Sequence, residues 1–200
     1  ETGRDMYIED ADYVAIRDFC KDYSNENGHK PWQALAYAMD ISYLTSFREG
    51  DIIRIQVGHY DADELKVTEG KTGWKARADM TPELSAVIDE ARKTLRRRVS
   101  ALFLITSRDG TPYTESGFKS AWQRMIRKAI ELEVIRKADR FTFHDIRAKH
   151  ATDKDEQGLN AQLALGHPDP KMTAKYIRHR KGRKIDTLRT NLISGKENKT

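Results

Sequence analysis

Residues 165–180 read LGHPDPKMTAKYIRHR, and this stretch predicts two short helices separated by a tight turn. Gly166 is typical of the residue that ends a helix, because glycine adopts the left-handed conformation without strain. Asp169 and Pro170 are typical of a helix start, with an acidic N-cap followed by proline in the first turn. The pattern therefore places His167 in the turn and Tyr176 on the second helix, nine residues further on.

Charge is distributed unevenly along this chain of 200 residues, which has a formal net charge of +5. Residues 1–27 carry eight acids and three bases, whereas residues 171–189 carry eight lysines and arginines and one acid. A second basic cluster lies in residues 92–98. Such asymmetry is typical of a protein that binds a polyanion on one side. A solvated helix face followed by a basic tail would explain it equally well.

The composition excludes several classes of protein. The single cysteine, Cys20, excludes a disulfide framework and a cysteine-based zinc finger. No apolar run approaches the ~20 residues of a membrane span, and one cysteine fits a reducing compartment inside a cell.

Residues 1–5 begin with ETG and contain no initiator methionine. We interpret them as an expression remnant or an N-terminal extension.

The hydrophobic periodicity predicts an α+β fold that is mainly α-helical, with one small antiparallel β-sheet. The domain is expected over residues 6–193, followed by a polar tail over 194–200. Strands are predicted at 64–68 and 74–78, around the GKTG turn of residues 70–73. A capping box at residues 142–145 predicts a helix through 156. The sequence predicts further helices over 8–23, 31–45, 48 onward, 82–98, 115–133, 159–165, 169 onward and 184–192. It also predicts a short buried segment over 100–106.

Several polar residues could carry chemistry, although each has an ordinary structural explanation when judged alone. His144 and Arg147, in the HDIR of residues 144–147, would project from one helix face. The planar guanidinium suits phosphate oxygens, but such pairs are common on helix surfaces. The remaining candidates are a helix-end histidine, a half-buried tyrosine, a turn lysine and an arginine with a nearby acid: His167, Tyr176, Lys71, Arg48 and Asp51.

Taken in order, these residues resemble the tyrosine recombinase (phage integrase) family. Its catalytic domains carry Arg, Lys, HxxR, His or Trp, and a nucleophilic Tyr in this order. The matching stretches are FREGD (47–51), KTG (71–73), HDIR (144–147), LGH (165–167) and TAKYIRH (173–179), within a resemblance over residues 6–190. Asp51 departs from the family, which usually has glutamate there, and the segment between Arg147 and His167 is a few residues shorter than is common.

The resemblance implies that Tyr176 attacks the phosphorus of a DNA phosphodiester. A tyrosine hydroxyl has a pKa near ~10, so it needs help to attack at neutral pH. Arg48 and Arg147 would clamp the phosphate and stabilise its transition state. His144 would accept a proton or position the nucleophile.

The remaining roles also come from the resemblance. Lys71 would protonate the leaving 5′ oxygen, His167 would donate a hydrogen bond to the phosphate, and Asp51 would orient Arg48. The implied product is a 3′-phosphotyrosyl intermediate that a 5′-hydroxyl reseals. No metal and no nucleotide cofactor are expected, because the two guanidiniums supply the electrostatic stabilisation.

The implied partner is double-stranded DNA carrying specific recombination sites, with a tetramer on DNA and no membrane. The isolated fragment is compatible with a monomer in solution. The expected setting is the cytoplasm of a bacterial host, at the nucleoid. An N-terminal DNA-binding domain, usual in the family, is expected to be missing before residue 6. The expected backbone contacts are Arg92, Lys93, Arg96, Arg97, Arg98, Lys171, Lys175, Arg178, Arg180, Lys181 and Arg183.

Three other functions compete with a site-specific recombinase that integrates or excises phage or mobile-element DNA. A type IB topoisomerase would share the cleavage chemistry but relax supercoils without exchanging strands. A DNA-binding module that does not cleave would have no need of Lys71 and Tyr176 together. A metal-dependent nuclease would need clustered acids and histidines, and the six histidines are scattered along the sequence.

Overall fold

The structure is a computed structural model that describes residues 6–68, 70, 73, 75–95, 102–107, 109–166 and 169–178. These residues form helices with one two-stranded antiparallel sheet, so the predicted α+β class is confirmed. The elements are α1 (Asp10–Asp22), α2 (Gln33–Thr45), α3 (Glu49–Ile52), β1 (Glu64–Thr68), β2 (Lys75–Asp79), α4 (Pro82–Leu95), α5 (Glu115–Glu131), α6 (Phe143–Glu156), α7 (Ala161–Leu165) and α8 (Pro170–Ala174).

Local signals place most element boundaries correctly. The predicted capping box at α6 is present, because the Asp145 carboxylate accepts hydrogen bonds from the Thr142 backbone N–H and hydroxyl, both at 2.7 Å. Helix α2 begins two residues later than predicted, because its N-cap Trp32 has a non-helical ψ of 8°. Strand β2 lies one residue later than predicted. The predicted helix over 184–192 and the tail over 194–200 lie outside the described residues.

Helix α2 is the centre of the core. It packs against α1, α4 and α6, and most of its residues are buried. A helix that is apolar on nearly every side belongs inside a protein, and the small side chains of Ala34, Ala36 and Ala38 allow neighbouring helices to approach closely. The C-terminal end of α2 carries the chain into the segment that holds Arg48.

The β-hairpin lies beside this core and presents its turn near α3. Strand β1 pairs with β2 from Glu64↔Asp79 to Thr68↔Lys75. Leu65 and Val67 point into the core and are buried. The exposed face is polar, as expected for a sheet with one face in water.

Helix α6 is buried in spite of its polar sequence. Nine of its fourteen residues are buried, and four of them carry ionisable side chains. His150 Nδ1 donates to the backbone carbonyl of Tyr43, near the end of α2. His150 Nε2 is buried and makes no hydrogen bond within the described part of the chain.

Lys149 anchors the other side of α6 to the start of the chain. Its side chain is 2% exposed, and its ammonium donates to the Tyr7 hydroxyl at 2.7 Å and to the Asp10 carboxylate. The Asp153 carboxylate lies 3.1 Å from the same ammonium and accepts from the hydroxyls of Tyr7 at 2.5 Å and Tyr43 at 2.6 Å. A buried charge with this many partners fixes how α6 sits on the core.

We expect Lys149→Met to lower the free energy of unfolding by about 3 kcal/mol, because Asp153 would lose its cation while staying largely buried. Urea denaturation at pH 7 measures this. Lys128→Met is the matched control, since Lys128 pairs with Glu131 within α5 at the surface and should cost less than ~0.5 kcal/mol. Equal losses in the two variants would contradict the role given to Lys149.

The buried His150 makes stability depend on pH. Burial lowers its pKa to about 4, whereas an unfolded histidine has a pKa near ~6.5. Between these values the unfolded chain binds a proton that the folded chain does not. The contribution of the neutral His150 to the free energy of unfolding is therefore fully present above about pH 6.5 and is lost as the pH falls toward about 4. His150→Asn keeps a donor for the Tyr43 carbonyl but does not titrate. The difference between its unfolding free energies at pH 7 and pH 5 should be smaller than that of the wild type, and equal differences would contradict the assignment.

Candidate active site

A cleft of about 320 Å³ opens where α2 ends, α3 begins and α6 begins. Arg48, His144 and Arg147 line it, together with Phe47 and the glycine of α3, Gly50. Arg48 is the N-cap residue of α3, so the sharp change of chain direction after α2 brings it to the cleft. His144 and Arg147 come from the first turns of α6. Residues from distant parts of the sequence therefore meet in one place.

Arg147 is the most buried of these groups, at 2% exposure. Its guanidinium donates to the backbone carbonyl of Leu165 at 2.6 Å and to that of Ser46. Ser46 is the C-cap of α2 and adopts a left-handed conformation with φ 58°, and Leu165 is the last residue of α7. Helix C-terminal ends leave carbonyls without helical partners and carry partial negative charge. The cation therefore lies between two such ends.

Tyr176 lies against the same two α6 residues. Its hydroxyl is 3.2 Å from His144 Nε2, and the two rings are 5.5 Å apart at an angle of 60°. The Arg147 guanidinium carbon lies 5.8 Å from the centre of the tyrosine ring. The hydroxyl thus stands beside an imidazole, with a buried guanidinium on the face of its ring.

The sequence predicted Tyr176 on helix α8, and this prediction is wrong: Tyr176 lies in the turn that follows the helix. Helix α8 ends at Ala174, and the Tyr176 N–H closes the turn by donating to the Thr173 carbonyl at 2.8 Å. The Thr152 hydroxyl holds this turn against α6, since it accepts from the Arg178 N–H at 2.8 Å and lies 3.5 Å from the Tyr176 carbonyl. Helix propensity does not predict that α8 ends at Ala174, because a contact between the following turn and α6 fixes that end.

The surroundings of His144 favour its neutral form. Desolvation in the cleft lowers its pKa, and the Arg147 guanidinium lowers it further because a second positive charge nearby is unfavourable. A neutral imidazole has one nitrogen that accepts a hydrogen bond. With Nε2 as that nitrogen, His144 can receive the proton of the Tyr176 hydroxyl.

The Asp51 carboxylate faces the hairpin. Its Oδ1 accepts a hydrogen bond from the Gly70 backbone N–H at 3.0 Å, and the residue is buried. The predicted orientation of Arg48 by Asp51 stays a prediction. The observed contact links α3 to the hairpin turn, which the sequence did not indicate.

The structure brings Arg48, His144, Arg147 and Tyr176 together, and it leaves their roles as proposals. Lys71 and His167 lie outside the described residues. So do six of the predicted DNA contacts: Arg96, Arg97, Arg98, Arg180, Lys181 and Arg183. Of the rest, Arg92 and Lys93 lie in the last turn of α4, Lys171 in α8, and Lys175 and Arg178 just after it. The contacts that sequence reasoning missed are backbone carbonyls and the Thr152 hydroxyl, for which no sequence signal exists.

Within the described ranges, no group of three or more Cys, His, Asp or Glu side chains is arranged to hold a metal ion. None of the described helices has the length and apolar character needed to cross a membrane. Two arginines in a cleft supply positive charge where a phosphate could bind, and a tyrosine hydroxyl beside an imidazole supplies a nucleophile and a proton acceptor.

The fold and the site define a mainly helical domain that gathers two arginines, a histidine and a tyrosine in one place. The chain belongs to the phage integrase family, whose model matches residues 7–183. No match was found among curated proteins.

Solved integrase structures share the fold. A lambda integrase dimer bound to a COC′ core site is 24% identical, with a TM-score of 0.66 over 92% of this chain and 62% of that one. The lambda integrase catalytic core is 22% identical, with a TM-score of 0.62 over 82% of this chain and 92% of that one. The Tn1549 transposon integrase in complex with circular intermediate DNA is 18% identical, with a TM-score of 0.66 over 88% of this chain and 64% of that one. The chain thus spans between half and two thirds of the longer integrases it matches.

We expect the pKa of His144, followed by NMR of its imidazole, to lie below 6.5 and to rise in Arg147→Gln, because the nearby positive charge is removed. Arg147→Lys is the matched control, since it keeps the charge and should keep the pKa low. Arg178→Gln should shift the pKa less, because Arg178 contributes less to lowering it. Equal pKa values in the Gln and Lys variants would show that charge is not the cause.

Proposed function

We propose that this chain is the catalytic part of a site-specific DNA recombinase, an integrase that cuts and rejoins DNA strands through Tyr176. The observation that carries the proposal is the Tyr176 hydroxyl at 3.2 Å from His144 Nε2, beside the buried Arg147. Membership of the phage integrase family supports it. Lambda integrase, which shares the fold, has been crystallised as a dimer on a core site and as a tetramer on a Holliday junction.

The cleavage step begins as the Tyr176 oxygen attacks the scissile phosphorus and its proton passes to His144 Nε2. The bond from phosphorus to the 5′ oxygen breaks, and that oxygen takes a proton from Lys71. The product is a 3′-phosphotyrosyl bond and a free 5′-hydroxyl. Attack by the 5′-hydroxyl of another strand reverses each transfer and reseals the DNA, so bond energy is conserved and no cofactor is consumed.

Arg48 and Arg147 would stabilise the charge on the non-bridging oxygens during this step. A guanidinium has five N–H donors, so a group held by two backbone carbonyls can also bind a phosphate. Because Ser46 and Leu165 fix the Arg147 guanidinium before DNA arrives, little reorganisation is needed at the moment of reaction. His167 would add a hydrogen bond to the same phosphate.

The partner in this proposal is double-stranded DNA with a specific site, bound by four copies of the chain during strand exchange. The exposed Lys93, Lys171 and Lys175 would contact backbone phosphates and make affinity depend on salt. We place this activity at the nucleoid, in the cytoplasm of a bacterial host.

The test is covalent trapping. A pool of nicked duplexes with a randomised core releases a short strand after cleavage, so the phosphotyrosyl adduct cannot reverse and survives denaturing gel electrophoresis. We expect the wild-type chain to form an adduct and to enrich one core sequence. Tyr176→Phe should reduce the adduct to background, since it lacks the attacking oxygen. Tyr113→Phe also loses a tyrosine hydroxyl, but Tyr113 packs on Phe118 and does not line the cleft, so this variant should trap as much as the wild type.

The outcomes separate the competing functions. Undiminished adduct in Tyr176→Phe would disprove the nucleophile. Binding without any adduct in the wild type would favour a DNA-binding module. Rapid relaxation of a supercoiled plasmid that lacks the enriched core would favour a topoisomerase.

A further inference from the structure

Helix α6 contacts the tyrosine turn at two places that are eight residues, or ~12 Å, apart along the helix. At the first, His144 Nε2 lies 3.2 Å from the Tyr176 hydroxyl. At the second, the Thr152 hydroxyl accepts from the Arg178 N–H at 2.8 Å and lies 3.5 Å from the Tyr176 carbonyl. Both the side chain of the tyrosine and the backbone beside it are therefore tied to one helix.

The ring of Tyr176 also rests on a small apolar cluster. Ala151 of α6 and two residues of α7, Ala161 and Leu165, form this cluster and are buried. Apolar packing of this kind favours burial of the ring, but it is not directional. A directional contact at the backbone limits how far the ring can move across the cluster and away from His144.

The Thr152 hydroxyl that makes this backbone contact is itself held in place. The residue is 1% exposed, and its hydroxyl donates to the Ala148 carbonyl at 2.9 Å, one turn earlier in α6. This bond uses the single hydroxyl hydrogen and restricts the χ1 angle of the β-branched side chain. The oxygen keeps its lone pairs, and one of them accepts the Arg178 N–H. Thr152 thus presents a fixed acceptor to the turn.

We infer that Thr152 is a positioning residue for the nucleophile: by accepting the Arg178 N–H, it holds the turn on α6 so that the Tyr176 hydroxyl stays beside His144. The inference rests on the proposed function, because it needs Tyr176 to act in cleavage. Thr152 gains and loses no proton in that step. Because it is buried, it affects the rate of cleavage of bound DNA and not the affinity for DNA.

Two measurements test this role, and one of them is independent of activity. The Tyr176 and His144 rings have centres 5.5 Å apart, close enough for a nuclear Overhauser effect between their protons in the DNA-free protein. The other measurement is the single-turnover rate of adduct formation on saturating nicked duplex with the enriched core sequence. A titration with the same duplex gives the Kd.

We expect Thr152→Val, which replaces the hydroxyl with a methyl group of similar size, to slow adduct formation about tenfold with an unchanged Kd. Tenfold corresponds to ~1.4 kcal/mol, the size of effect that a buried N–H without its acceptor produces. The nuclear Overhauser effect between the two rings should weaken in the same variant. Thr152→Ser keeps the hydroxyl, so it should keep this signal and most of the rate.

Thr106→Val is the matched control. Thr106 is 2% exposed, its hydroxyl donates to the Leu95 carbonyl at 3.3 Å, and it does not line the cleft. This variant also loses a buried hydroxyl, but it should keep the ring signal and the rate of the wild type. Thermal unfolding of every variant verifies the fold. Thr152→Ala, which also lacks the oxygen and favours a helix, takes the place of Thr152→Val should the latter unfold.

The outcomes distinguish this inference from the function on which it rests. An unchanged ring signal in Thr152→Val overturns the positioning role whatever the rates. A weakened signal with wild-type cleavage overturns it as well, and so does an equal slowing in Thr106→Val; in both cases the proposed function stands. If the wild type forms no adduct, the proposed function fails, and the role of Thr152 in cleavage falls with it.

Discussion

The buried guanidinium of Arg147 is the group around which the cleft is organised. A charge at 2% exposure is costly unless it is hydrogen-bonded, and here Nη1 and Nη2 donate to carbonyls at the ends of α2 and α7. Because both carbonyls belong to helix C-terminal ends, they carry partial negative charge without being ionisable. These carbonyls compensate part of the positive charge and hold the guanidinium in place at the edge of the cleft.

This requirement explains the conformation of the chain around it. Ser46 adopts a left-handed conformation, which costs roughly 1 kcal/mol or more for a residue other than glycine. The strain is offset because the turned chain directs the Ser46 carbonyl to Arg147 and brings Arg48 into the cleft two residues later. Gly166 turns the chain after Leu165 in the same way, with φ 62°. Two left-handed helix ends thus serve one cation.

The sequence predicts those parts of the molecule that depend on nearby residues. Asp145 as the partner of Thr142, Asp169 as an N-cap and Gly166 as a helix end all act within a few residues, and each is present as predicted. Of the residues that the family motifs select, Arg48, His144 and Arg147 line one cleft, and Tyr176 lies against His144. What the sequence does not reveal depends on long-range contacts. The Thr152 hydroxyl draws Tyr176 into a turn beyond α8, and the carbonyls that hold Arg147 have no residue type to recognise.

The positive charge of Arg147 has two effects in the cleft. The Arg147 guanidinium that would stabilise a phosphate also lowers the pKa of His144, three residues earlier on the same helix. An imidazole kept neutral can accept the Tyr176 proton, whereas an imidazolium would hold its own and could only donate. A bound phosphate would bring negative charge close to both groups and so offset part of the effect of Arg147 on His144. The charge that would bind the phosphate therefore also favours the neutral form of the imidazole beside Tyr176.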